Sequence, residues 1–107
     1  MARAPRKARD PASVCAMRDR FDADIAAGTL EVGVAVKRMR QISGLTQEQF
    51  AKHRGVSLLT LKRVESGAGN PTVETLTRIA SIFGLRLAFV HNNPETVAVS
   101  LRHNEIV

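Results

Sequence analysis

Gly55 leaves room for only two short helices between Thr46 and Gly67, and that limit constrains the fold more than any other feature of the chain. Thr46-Gln47-Glu48-Gln49 reads as a capping box, in which the Thr hydroxyl accepts from the N3 amide and the Gln side chain reaches back to the cap. The helix it opens ends near His53, because Gly55 sits in a tight turn where a left-handed backbone favours glycine. Ser57 caps the next helix, which buries Leu61 and Val64 and stops at Ser66-Gly67. Phe50 and Ala51 share one face of the first helix, and Ala51 is small enough for the second to cross closely. Val56, Leu61 and Val64 fill the wedge between them.

The flanking segments carry their own punctuation. Residues 1–9 hold Arg3, Arg6, Lys7 and Arg9 with little apolar content, which predicts a mobile basic arm. Asp10-Pro11 opens a helix with Val14, Met17, Phe21 and Ile25 at helical spacing, and Gly28 ends it. A second helix is expected over about 31–42, with Val32, Val36 and Met39 inward and Ser43-Gly44 as its stop. Thr72 caps a further helix whose inward face is Val73, Leu76, Ile79, Ala80 and Phe83, with Gly84 as its end. The period then changes to two. Leu85, Leu87 and Phe89 alternate with Arg86, Ala88 and Val90, and Val97, Val99 and Leu101 alternate with Ala98 and Ser100, either side of Asn92-Asn93-Pro94-Glu95. The expected fold is therefore mainly α, four or five helices with a small C-terminal β-hairpin.

Charge places the partner. The net charge is +6, and it is concentrated in residues 31–67, where Lys37, Arg38, Arg40, Lys52, Arg54, Lys62 and Arg63 face only Glu31, Glu48 and Glu65. The last third is neutral, which suits a polyanion partner at one end and a different task at the other. All four aromatics are Phe, so the Tyr and Trp platforms of single-strand binders are missing. No stretch is long and apolar enough for a membrane span or a signal peptide, and the lone Cys15 has no internal disulfide partner, which together point to the cytoplasm.

Two short helices joined by a glycine turn are the helix-turn-helix signature, and its geometry presents the start of the second helix to the DNA major groove. The sequence resembles the Cro and phage-repressor-type regulators, also called the xenobiotic-response-element family. The resemblance rests on Arg40, Gly44-Leu45-Thr46-Gln47, Phe50-Ala51, Gly55-Val56-Ser57, Leu61, Val64-Glu65-Ser66-Gly67, Pro71, Thr75-Leu76 and Ile79-Ala80. It implies that Gln47 grips a phosphate beside the amides of its helix start. It places Ser57, Leu58, Leu59, Lys62 and Arg63 at the exposed positions of the recognition helix. Arg63 is the first candidate for a base contact, since Arg can pair with both acceptors of guanine; Lys62 either reads a base or holds a phosphate. Leu58 and Leu59 stand where relatives often carry polar readers. They either touch thymine methyls or pack against the basic helix or a dimer mate. Arg54 replaces the usual apolar residue before the turn glycine and either snorkels to the surface or contacts the backbone. Arg40 and Glu65 resemble a pair that bridges two helices behind the DNA-facing surface.

Catalysis finds no support. His53, His91 and His103 lack metal-ligand spacing, Cys15 has no His near it in sequence, and there is no glycine-rich phosphate loop. The chain is expected to be no enzyme and to need no metal or cofactor. The reading that follows is a double-stranded DNA-binding transcriptional regulator, a homodimeric repressor on a palindromic operator. Its rival is an antitoxin of the kinase-antitoxin type, which neutralises a protein toxin and controls its own operon. The expected organisation is a basic arm over 1–9, a helical extension over 10–30, the DNA-binding domain over 31–84 and a β segment over 85–107. In that last part Leu87, Phe89, Val97 and Val99 would pair with a second chain.

Overall fold

Side-chain caps mark the starts of four of the five α-helices among the described residues, the exception being the helix that follows Glu31. The computed structural model describes residues 9–92, which form α1 (Pro11–Ala27), α2 (Val32–Ser43), α3 (Gln47–Arg54), α4 (Leu58–Ser66) and α5 (Val73–Ala80), closed by a 3₁₀ turn at Ser81–Phe83. Asp10 accepts from the Ala12 amide, Ser57 from Thr60 and Thr72 from Thr75. Thr46 and Gln49 complete both halves of the capping box, at 3.2 and 3.0 Å. Each satisfied cap contributes about 1 kcal/mol. Gly28, Gly44, Gly55 and Gly67 follow the first four helices.

The core draws on every helix. Phe21 of α1, Phe50 of α3, Leu61 of α4 and Ile79 of α5 are fully buried, and α2 adds Ala35, Val36, Met39 and Ile42. Each large side chain so buried contributes about 1.5–3 kcal/mol. The long α1 packs on α2. Phe21 meets the ring of Phe83 at 5.8 Å between centroids, and Arg38 of α2 donates to Asp24 at 2.7 Å while its guanidinium lies over Phe21. Arg9, grouped by its charge with the basic arm, donates to the carbonyls of Gln41 and Ile42 at the C-terminal end of α2.

Helices α2 and α4 approach closely at Gly33. A Cβ on Gly33 would lie 2.5 Å from the carbonyl oxygen of Val64 and 3.1 Å from that of Glu65. With Gly33 against α4, Val32 and Val34 fall to either side, and both are about half exposed. The expectation that Val32 points inward is therefore corrected. So is that for Val73, 69% exposed, which precedes the stretch of α5 that meets the core, and Met17 is also exposed. After Gly84, Leu85 packs on the core and its amide donates to Ala80.

The expected C-terminal hairpin is not supported. Residues 86–92 are described and carry no strand, and no strand occurs among the described residues. Alternation marks two sides of an extended segment, but a strand also needs a laddered neighbour, and none lies alongside within the described residues. The second expected strand, Thr96–Leu101, lies outside them. Among the described residues no helix is long and apolar enough to cross a membrane.

Candidate nucleic-acid interface

The turn between α3 and α4 is held by main-chain bonds that close α3. The Val56 amide donates to Ala51 at 2.9 Å and the Gly55 amide to Lys52 at 3.2 Å, with Gly55 at φ 69°, a conformation that disfavours any side chain. Buried Ala51 and Leu61 occupy the inner faces of the two helices. This fixes the outward face of α4. Leu59, Lys62, Arg63 and Ser66, spaced three and four apart, are all exposed.

Behind that face lies a charged clamp. Arg40 of α2 donates Nε to Glu65 Oε2 at 2.8 Å and Nη2 to Oε1 at 3.0 Å, and its Nη1 reaches the Leu45 carbonyl at 3.2 Å. The pair that the resemblance implied is thus formed, with Glu65's side chain only 5% exposed. Gln47, the first residue of α3, donates Nε2 to Glu65 Oε1 at 3.3 Å. One carboxylate therefore fixes both the α2–α4 bridge and the side chain expected to grip a phosphate.

The remaining expected site residues differ in how free they are. Ser57 uses its hydroxyl within α4, accepting from the Thr60 amide and donating to Thr60 Oγ1 at 2.7 Å. Leu58 is half-buried and lines a groove with Thr46, Gln47, Glu48 and Lys62. Leu59 is 59% exposed. Lys62 and Arg63 are exposed and have no side-chain hydrogen bond or ion pair among the described residues. Arg63 sits in the last turn of α4, and its stem runs beside Gly69, where a Cβ would stand 3.6 Å from Arg63 Cδ.

Arg54 serves the fold. It donates Nε and Nη2 to the Arg78 carbonyl, at 3.1 and 2.6 Å, and Nη2 also to Ser81 Oγ at 2.8 Å. Arg78 in turn donates to the Gly55 carbonyl at 3.2 Å. Sequence reasoning singled out neither this exchange nor the close packing at Gly33. No group of His, Cys, Asp and Glu able to hold a metal ion occurs among the described residues.

A helix-turn-helix framework with a solvent-facing second helix is what these elements define, and a helix-turn-helix family model matches residues 36–90. The chain belongs to that helix-turn-helix family. It is 34% identical over 62 residues to an uncharacterized HTH-type transcriptional regulator of Methanocaldococcus jannaschii, a match covering 56% of this chain and 94% of that protein. It is 41% identical over 54 residues to another, from Sinorhizobium fredii, covering 50% of this chain and 70% of the relative. No solved structure matches significantly. The matched segment begins within α2, so Phe21 and the rest of α1 lie outside it.

Proposed function

We propose that the chain is a sequence-specific double-stranded DNA-binding transcriptional regulator, a homodimer that represses by occupying a palindromic operator. One observation carries the reading. In and beside the helix-turn-helix the cations differ in their ties: Arg40 and Arg54 hydrogen-bond to neighbouring helices, whereas Lys52, Lys62 and Arg63 have no side-chain partner among the described residues. Unpaired cations on the exposed faces of α3 and α4 match the phosphates and base edges of the major groove. The names of the relatives, both transcriptional regulators, agree with it.

In this reading Gln47, held by Glu65, presents its free amide atoms to a phosphate at the start of α3. Arg63 reads guanine, Lys62 contacts a base or a phosphate, and Ser57, Leu58 and Leu59 line the groove wall. Dimerisation is supported by the exposure of Leu87, Phe89 and Val90 beyond the folded core. A palindromic operator needs two recognition helices held about 34–36 Å apart.

Selection from random duplexes with the full chain tests this. Enrichment of a palindrome with half-sites one helical turn apart, bound by a dimer, is the expected result. Failure to enrich any sequence overturns the regulator reading. Recovery of the chain from its native cell in a stoichiometric complex with a toxin would establish the antitoxin reading instead.

A further inference from the structure

We propose that Leu59 reads the C5-methyl group of a pyrimidine in the major groove, so that binding depends on whether one base of each half-site is methylated at C5. The inference rests on the DNA-reading role of α4 proposed above and adds the chemical group that this position recognises. Leu59 is the second residue of α4. It is the one large hydrophobic side chain exposed among residues 46–67, whereas Leu61 and Val64 of the same helix are buried. Its neighbours one turn on are Lys62 and Arg63, both exposed and unpaired among the described residues.

That combination selects the occupant. An apolar protein surface closing over Leu59 would strip water from two unpaired cations, which is costly without anionic partners. The major groove instead offers phosphates and acceptors to the cations and, in unmodified DNA, one apolar group on its base edges, the thymine methyl. Helix α4, Leu-Leu-Thr-Leu-Lys-Arg-Val-Glu-Ser, contains no Asn or Gln. It therefore lacks the side chains that pair with adenine through two hydrogen bonds, which makes the thymine methyl the distinctive mark by which Leu59 can read an A·T pair. Leu58 is the weaker candidate, because it is half-buried against the start of α3. 5-Methylcytosine carries the same methyl on the same ring carbon, so it satisfies Leu59 equally.

The test uses the full chain and a duplex enriched from a random pool, with each thymine replaced singly by deoxyuridine, a change that removes only the methyl. At one position per half-site the replacement should weaken binding about fourfold, the effect of withdrawing one buried methyl. At that position a 5-methylcytosine·guanine pair should bind about fourfold tighter than cytosine·guanine. Leu59→Ala should abolish both differences, and Leu59→Met should keep them; neither change removes a core contact, and thermal melting confirms the fold. A methyl effect that survives in Leu59→Ala, or an enriched duplex with no methyl-sensitive pyrimidine, overturns the inference while leaving the regulator reading intact. A change in oligomeric mass on Leu59→Ala would overturn it too, by assigning the side chain to a protein contact. A pool with no enriched sequence instead defeats the regulator reading itself.

Discussion

Arg54 and Arg78 cap each other's helices. The Arg54 guanidinium lies on the Arg78 carbonyl in the last turn of α5, and the Arg78 guanidinium lies on the Gly55 carbonyl just past the end of α3. A helix C-terminus leaves carbonyls unpaired and partly negative, so a cation there completes hydrogen bonds and opposes the dipole at once. The exchange ties α5 to the turn that orients α4. Arg54→Ala removes three hydrogen bonds in an exposed setting and should cost ~1–2 kcal/mol. In a domain this small each kcal/mol lowers Tm by about 4–8 °C, so calorimetry resolves the change. An unaltered Tm would show that the exchange adds nothing to stability.

Arg40 and Glu65 should behave as one unit. Their side chains are 16% and 5% exposed, so removing either strands the other with little water to replace it. Either single Ala variant should lose ~3–5 kcal/mol, and the second removal should then cost little in a double-mutant cycle. Additive losses would mean that the two charges act independently.

Gly33→Ala pits propensity against packing. Alanine favours a helix over glycine by about 1 kcal/mol, yet the added Cβ meets main-chain oxygens of α4, 2.5 Å away in the case of Val64. Main-chain atoms in a capped helix cannot turn aside as a flexible side chain does. The substitution should therefore destabilise by ~1–3 kcal/mol in urea. A stabilised variant would show that α2 and α4 separate freely.

A capping box before α3, the Ser57 cap before α4 and the glycines after each make the two helices readable in the sequence almost to the residue, because those signals are local. Arg54 and Arg78 are not readable in that way. Every residue carries a carbonyl, so an arginine that binds one from 24 positions away leaves no mark in spacing. Gly33 reads in sequence only as a weak helix residue, since its role comes from a neighbour met in space. Val32 and Val73 continue an apolar period one turn beyond the surface that covers it. The alternation over Leu85–Val90 was legible, but it identifies sides and not a pairing partner.

DNA affinity should fall steeply with salt. If two protomers together neutralise about ten phosphates, log affinity should decline with log salt at a slope near −9. Gln47→Ala should weaken all duplexes alike, whereas Arg63→Ala should cost ~1–3 kcal/mol at one base pair per half-site and relax preference there. Uniform loss from Arg63→Ala would assign that residue to a phosphate.

If the chain dimerises as proposed, the dimer should depend on residues past the core. Leu85 packs on the folded helices, so a chain ending at Arg86 keeps that contact and loses Leu87, Phe89 and Val90. It should stay helical by circular dichroism, turn monomeric by light scattering and lose operator affinity. A shortened chain that remains dimeric would place the contact elsewhere.

The side chains left without partners on α4 have an evolutionary consequence. The side chains of Leu59, Lys62 and Arg63 take no part in the helix caps, the Arg40–Glu65 clamp or the buried core. If these three positions read DNA as proposed, mutations there can change the target while the fold stays stable, since surface substitutions away from structural contacts typically shift stability by less than about 0.5 kcal/mol. A lineage carrying this scaffold can therefore acquire new operators by small steps through viable proteins. The same separation lets a designer randomise these positions and screen for binding alone.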